Sequence, residues 1–396
     1  MNTQDKDKLK DLVLQHGGEE LYAEKNKLKF IGLISDYFPG DEHKRTRRNL
    51  KQAIEDNIAA KLLKLKNLDN VNRAIQIKAL KQTFIDITGI DKDLAEQIID
   101  SLAFAIGLVK EPDVYVVGYC NTGATLWKNS IAQKLTDGGY GAKAQSVFVD
   151  GNDVYVAGCD GRVATLWKNG IVQKLIDSKY GAVAESVFVY GNDVYVAGRD
   201  GAVATLWKNG IAQNLTDGVY GGNAQSVFVD GNDVYVAGFK YKYDNALGCV
   251  ATLWKNGIAQ KLTDERYWAE AESVFVDGND VYVAGHDGWV ATLWKNGIAQ
   301  KLTDGVYGGN AQSVFVDGND VYVAGRGDGV ATLWKNGIAQ NFTNKRSCEA
   351  QSIFVSGNDV YVAGCNAKVA TLWKNGIAQN LTDGKNVAKA HSVFVK

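Results

Sequence analysis

A six-residue phrase, Asp-Val-Tyr-Val-Ala/Val-Gly, begins at Asp113, Asp153, Asp193, Asp233, Asp280, Asp320 and Asp359, so the steps between copies are 40, 40, 40, 47, 40 and 39 residues. No other feature of the 396-residue chain constrains its fold so tightly. A unit of that size cannot bury a core alone and must stack on its neighbours. Each unit carries four short runs, such as "AQSVFV" from Ala224, "DVYVAG" from Asp233, "VATLWKN" from Val250 and "IAQKLT" from Ile258. Their side chains alternate and are rich in β-branched and aromatic types, the marks of half-buried strands. Asn-Gly between the third and fourth runs is the strongest two-residue hairpin signal, because both residues accept positive φ. "DGND" joins the first two runs by similar chemistry. The first copy has Asn129-Ser130 instead, and its hairpin is expected to be the least well formed.

Four short strands at a period near 40 residues describe one blade of a β-propeller. With the strands lettered A (SVFV), B (DVYVAG), C (ATLWKN) and D (IAQKLT), the array starts at a B strand and the chain ends just after an A strand, His391 to Val395. Seven of each are present. Pairing the last A strand with the first B, C and D closes a seven-bladed ring and removes the free sheet edges that promote aggregation. The expected fold is therefore an all-β seven-bladed propeller over residues 110–396, closed by its C-terminal strand. Strand for strand the unit resembles a WD-repeat propeller, with a tryptophan near the end of strand C. It departs from that family at the motif itself, because Trp-Lys replaces Trp-Asp and the Gly-His pair is absent. The near-identical blades also resemble the amplified repeat arrays of self/non-self recognition proteins.

The first 109 residues follow another grammar. Only six of the 43 glycines and none of the nine tryptophans fall there. Phe30, Leu33, Ile34, Tyr37 and Phe38 keep the i, i+3, i+4 spacing of one helix face, and Pro39-Gly40 ends that run. Asp41 reads as the cap of the next helix, with the stripe Leu50, Ile54, Ile58 and Leu62. A third stripe is Ile77, Leu80, Phe84 and Ile87. A fourth is Leu94, Ile98, Leu102 and Ile106, with Asp91 as its N-cap, and a weaker opening helix covers about residues 5–15. Such stripes make a small helical bundle. "LYAEKNKLKFIGLISDYFPGDEHKRTRRNLKQAIEDNIAAKLL" followed by "GIDKDLAEQIIDSLAFAIGL" resembles a small helical adaptor or effector-associated domain of multidomain bacterial proteins, although "AFAIGL" lacks the tryptophan expected near the middle of its last helix. The resemblance implies a coupling role rather than chemistry. "HKRTRR" (His43 to Arg48) is the single basic cluster, read either as a solvated helix face or as a docking patch for an acidic partner.

Composition narrows the function. Formal net charge is −1, so no global basic field points to nucleic acid or an anionic membrane. No apolar run approaches the ~20 residues of a membrane span, and "MNTQDKDKLK" has no signal-peptide core, so a cytoplasmic location is expected. Five cysteines, an odd number without a CxxC pair, read as free thiols. The four histidines show no metal-ligand spacing along the chain. No cofactor is expected. Catalysis needs an asymmetric set of groups in one cleft, whereas repeats give rotational copies, and GxSxG, HExxH and GxxxxGK[ST] are absent.

The repeated Phe, Tyr and Trp read as filler between blades, each burying about 150–250 Å², or roughly 4–6 kcal/mol gross. "DGND" reads as turn chemistry rather than a calcium loop, since it lacks a distal acidic ligand. What varies from blade to blade lies in the B–C and D–A loops, which open on one face of a propeller. After "VAG" or "VVG" stand Tyr119, Cys159, Arg199, Phe239, His286, Arg326 and Cys365; before strand C stand Thr122, Arg162, Ala202, Cys249, Trp289, Gly329 and Lys368; the D–A loops carry Tyr140, Tyr180, Tyr220, Trp268, Tyr307, Arg346 and Asn386. One insertion, "FKYKYDNALGC" from Phe239, adds Tyr241 and Tyr243. Aromatics and arginine are the side chains that carry interface hot spots. The expected ligand-binding set is Tyr119, Arg162, Arg199, Phe239, Tyr241, Tyr243, Trp268, His286, Trp289, Arg326 and Lys368. The reading is a non-enzymatic recognition scaffold that binds a protein ligand on this face, with a possible second partner on the helical domain and neither nucleic acid nor membrane. The alternatives are a glycan-binding propeller lectin, and a repeat scaffold without a selected ligand.

Overall fold

A computed structural model of the chain describes residues 3–109, 111–120, 123–137, 141–217, 221–242, 248–264, 266–306, 308–343 and 348–396, without the side chains of residues 3, 4, 70 and 93. Two compact units separate at Met1–Pro112 and Asp113–Lys396.

The first unit holds six α-helices: α1 Thr3–Gln15, α2 Lys27–Tyr37, α3 Lys44–Glu55, α4 Ile58–Lys64, α5 Asn70–Thr88 and α6 Lys92–Ala105. Their apolar stripes converge on one core that includes Leu12, Phe30, Ile34, Leu50, Leu62, Phe84, Ile99 and Leu102. Three expectations need correction. The stripe from Leu50 to Leu62 belongs to two helices, because Asn57 takes the left-handed conformation (φ 60°) and turns the chain between α3 and α4. Asp41 does not cap α3, which starts at Lys44 without a side-chain cap. Ile87 is exposed rather than in the core. Asp91 does cap α6, accepting from the Leu94 amide at 3.2 Å. Within the basic cluster, Arg47 Nη1 donates to the Phe38 and Gly40 carbonyls at 2.6 and 2.9 Å, which satisfies backbone groups orphaned at the end of α2. His43 lies 3.6 Å from the buried Asp5.

Among the described residues of the second unit, 28 strands form seven four-stranded antiparallel sheets. Lys389–Val395 pairs with Val114–Cys120, which continues through Gly123–Lys128 and Ile131–Lys134. The C-terminal strand thus completes the first blade, and mutual backbone hydrogen bonds between Asp113 and Lys396 at 2.8 and 2.9 Å lock the joint. The A strands ring the axis and the D strands lie outside, with all four residues exposed in every blade but the second, whose longer D strand Ile171–Asp177 is half-buried at Leu175 and Ile176. Adjacent A strands are stitched by one repeated bond. The amide of Val147 donates to Ser392 Oγ, that of Val187 to Ser146 and that of Val227 to Ser186, and the series runs unbroken round to Val393 and Ser352 at 3.2–3.3 Å.

The strand-C tryptophans are filler as expected, all seven at most 1% exposed. The phenylalanines are not. Phe148, Phe188, Phe228, Phe275, Phe315, Phe354 and Phe394 face the axis, half-buried, and form a closed ring with neighbouring centroids 4.8–5.1 Å apart.

The face away from the variable loops is nearly uniform. In the second blade, Asn169 Nδ2 donates to Asp153 Oδ1 (2.8 Å), the Val154 amide donates to Asn169 Oδ1 (2.8 Å), Lys168 Nζ pairs with Asp153 Oδ2 (2.7 Å), and the same ammonium sits 5.0 Å over the Tyr155 ring. Every other blade repeats this clamp. Lys168 first and Asn169 second hold the Asp153 carboxyl below its usual range. So the lysine after each tryptophan ties the C–D hairpin to the start of strand B, and the Asp of "DGND" is committed to the fold. The Asn-Gly residues both have positive φ (52° and 80° at Asn169-Gly170). Asn129-Ser130 adopts the same geometry (50° and 67°), keeps the clamp and is followed by a normal strand D, so this hairpin is formed like the others, with Ser130 taking a conformation that glycine takes more cheaply.

Candidate functional site

The two variable loops meet on one side of the disc. Backbone bonds join them: the Ala182 amide donates to the Arg162 carbonyl (2.8 Å), Gly222 to Ala202 (2.8 Å), Gly309 to Trp289 (2.7 Å) and Ala388 to Lys368 (2.9 Å). In the second, third, fifth and seventh blades the D–A loop is therefore pinned against the B–C loop of the blade it leaves.

The expected site residues divide by exposure. Trp289 (76%), Trp268 (43%), Arg162, Arg326 and Lys368 are exposed. Tyr119, Arg199, Tyr241 and His286 are half-buried. Phe239 is 6% exposed and packs edge-on against Tyr241 at 5.3 Å, which in turn lies 6.5 Å from Trp268. Cys159, Cys249 and Cys365 are buried. Arg199 Nη1 donates to the Gly201 carbonyl at 3.0 Å and Arg326 pairs with Glu349 at 3.6 Å. Tyr180 is exposed (80%). Tyr243, and with it Thr122, Tyr140, Tyr220, Tyr307 and Arg346, lies outside the described residues.

Sequence reasoning missed a second variable set, on strand A. The three residues that open each copy read KAQ, VAE, NAQ, EAE, NAQ, EAQ and KAH, starting at Lys143, Val183, Asn223, Glu270, Asn310, Glu349 and Lys389. The alanine is buried in every blade, while its neighbours surround the axis on the side of the phenylalanine ring nearer the variable loops. A bulge in each A strand, between Ala271 and Ser273 in the fifth blade, inserts the extra polar residue. The glycine of each "VAG" makes the bulge possible. A Cβ on Gly118, Gly158, Gly198, Gly238, Gly285, Gly325 or Gly364 would stand 1.9–2.1 Å from a strand-A carbonyl oxygen. The signal was a polar residue before Ser in seven otherwise apolar strands.

These groups form a hydrogen-bonded belt. Gln145 Nε2 donates to Glu185 (2.7 Å), Gln225 Nε2 donates to Glu272 (3.0 Å), and the amides of Asn223 and Asn310 donate to Glu185 (3.4 Å) and Glu272 (3.2 Å). Lys389 Nζ meets Glu349 at 3.1 Å. His391 Nδ1 lies 3.1 Å from the Ala144 carbonyl and its ring is edge-on to Tyr119 at 5.4 Å. Burial raises the Glu185 carboxyl; burial and then the neighbouring Glu270 push Glu272 up to about 7. Burial pushes His391 down to about 4 and lowers His286.

Comparison with known proteins adds the following. The family model of the LVIVD repeat matches residues 221–242, 308–331 and 348–368, each stretch spanning strands A and B of one blade. No curated protein matches. Among solved structures, the computationally designed Ika8 protein is 19% identical with a TM-score of 0.43, covering 71% of this chain and 87% of its own. A protein of Bacteroides fragilis provisionally assigned as a 6-phosphogluconolactonase is 15% identical with a TM-score of 0.46, covering 73% and 99%. A nidogen/laminin complex is 9% identical with a TM-score of 0.39, covering 61% and 97%. A seven-bladed propeller with LVIVD-type repeats is consistent with a repeat binding scaffold. Among the described residues no helix is long and apolar enough to cross a membrane.

Proposed function

We propose that this protein is a non-enzymatic recognition scaffold. The face built by the B–C and D–A loops binds a protein ligand, and the helical domain couples that event to a second partner in the cytoplasm, where its free thiols persist. One observation carries the reading. The B–C and D–A loops carry the exposed Trp268, Trp289, Arg162, Arg326 and Lys368 on a face where the blades differ, while the opposite face is spent on a repeated clamp. Exposed tryptophan and arginine on rigid loops are what protein interfaces use as anchors. Seven unlike side chains suit an asymmetric macromolecule better than seven copies of a small ligand. The lectin alternative loses its shared platform, because the strand-C tryptophans are enclosed.

The test is a quantitative pull-down with the full chain and a variant in which Arg162, Trp268, Trp289 and Arg326 become alanine. Each central anchor removed should cost about 2 kcal/mol or more in binding, with the melting temperature unchanged. Recovery of the same partners at the same yield by both proteins would refute this face as the binding face.

A further inference from the structure

We propose that Glu270, Glu272 and His286 bind one divalent metal ion of mixed nitrogen and oxygen preference, for which Zn²⁺ is the probe, at the axis of the propeller. One ligand atom from each of the three lies within 4.8 Å of the other two. Their convergence follows from the strand pairing. Glu270 stands directly across from His286 in the A–B ladder, and Glu272 is the bulge residue two positions on, so the bulge brings both carboxylates to one imidazole.

Among seven near-identical blades this is the single one with acids on both sides of the strand-A alanine, and the single one with histidine after "VAG". Three departures from the repeat meet in one place. The local charges point the same way. Elsewhere on the axis a carboxylate has a cation for company: Glu349 pairs with Arg326 and Lys389, and Glu185 feels Arg199 and Lys143. Among the described residues, neither Glu270 nor Glu272 makes an ion pair. Their partners are neutral donors: Trp268 Nε1 at 2.7 Å and Cys249 Sγ at 3.7 Å on Glu270, Gln225 and Asn310 on Glu272. Two carboxylates held together without a counter-charge repel each other, and a dication removes that repulsion. His286 Nδ1 is buried without a hydrogen-bond partner, with the backbone of Gly288 and Trp268 close to the ring. Imidazole with carboxylates suits Zn²⁺ among the common divalent ions. The flanking amides and the Trp268 indole then serve as the outer groups that orient ligands at metal sites. Three protein ligands leave coordination positions for water. The site shares His286 and Trp268 with the loop face, but its test reads Zn²⁺ and leaves both the exposed anchors and partner binding aside, so either reading can fail without the other.

The experiment is calorimetric titration of Zn²⁺ into the full, chelator-stripped chain, with Glu272→Gln, His286→Phe and Cys249→Ser beside the wild type. Gln and Phe are the residues that other blades carry at those registers (Gln225, Phe239), so the fold tolerates them, and circular dichroism confirms it. The wild type and Cys249→Ser should each bind one equivalent. Glu272→Gln and His286→Phe should weaken binding at least about tenfold, the loss that even an outer group causes at a metal site. Should His286→Phe not fold, Glu272→Gln decides alone. No saturable binding, wild-type affinity in Glu272→Gln, or loss of binding in Cys249→Ser would each overturn the proposal, the last by assigning the metal to a thiol.

Discussion

His391 makes the ring closure sensitive to acid. It sits on the C-terminal strand that joins the last blade to the first, and its folded-state pKa falls from the ordinary 6.5 to about 4. Burial is the main cause. Lys143 and Lys389 add to it, while the Ala144 carbonyl and Glu349 oppose it. A group with a depressed folded pKa lets the unfolded chain take the proton first, so its contribution is present above pH 6.5 and is lost as pH falls toward 4. Linkage between those two values gives a loss of about 2 kcal/mol by pH 5 and about 3 kcal/mol by pH 4. Replacing His391 by Gln, the residue at the same register in Gln145, Gln225, Gln312 and Gln351, removes the titration and keeps the size. The assay is urea unfolding of both proteins at pH 7.5, 5 and 4. The difference between them is the readout, because Glu185 and Glu272, raised by burial, favour the fold as they take up protons and do so in both proteins. The Asp–Lys clamps, whose carboxyls are held below the usual aspartate range, begin to lose their contribution near pH 4, where the unfolded aspartates take up protons, and do so equally in both proteins. The wild type should match the variant at pH 7.5 and fall behind by about 2 kcal/mol at pH 5. Parallel pH curves would refute the reasoning.

Deleting residues 390–396 removes the buried Ala390, Val393 and Val395 and the Phe394 member of the axial ring. At roughly 1.5–3 kcal/mol for each buried valine alone, the melting temperature should drop by many degrees, and an unchanged value would sink the closure. Ser130→Gly should stabilise the chain by about 1 kcal/mol in denaturant unfolding, since a serine at φ 67° gives way to the residue that prefers it. Gly325→Ala places a Cβ 2.1 Å from the Asn310 carbonyl oxygen. It should cost more than about 3 kcal/mol, with the axial residue Gln312 displaced in a crystal structure of any variant that still folds.

The blade and its closure were legible because they rest on local, repeated signals. "KNG" fixes a turn by its φ values, and the 40-residue step fixes the stacking. The axial belt was not. Glu272 and His391 sit beside constant residues inside what reads as an ordinary strand, and only the bulge turns them toward the axis. That bulge depends on Gly285 or Gly118 across the ladder, a relation between strands that spacing along one strand does not carry. The helical unit failed in the same way at Asn57, where a left-handed residue splits a stripe of continuous helical period.

The bulge also explains how near-identical blades come to differ at the centre of the molecule. Side chains beside the buried strand-A alanine answer to neither the tryptophan packing nor the Asp–Asn–Lys clamp, both of which lie elsewhere in the blade. The bonds that backbone amides of one A strand donate to the serine Oγ of its neighbour use the backbone of the next blade, so they are indifferent to whether the bulge residue is Gln, Glu or His. Stability is thus carried by one face, the inter-blade layers and the phenylalanine ring. The loops and the belt are released to vary, and the cross-strand pairs Glu270–His286, Asn310–Arg326 and Lys389–Tyr119 set the two side by side, with Asn223 facing Phe239 and Glu349 facing Cys365 in other blades. A ligand that reached the axis would be read by both sets at once. The coupling is testable by double-mutant cycles between Arg326 and Asn310: an interaction above about 0.5 kcal/mol in binding, beyond what independent sites show, is expected, and strict additivity would separate the face from the belt.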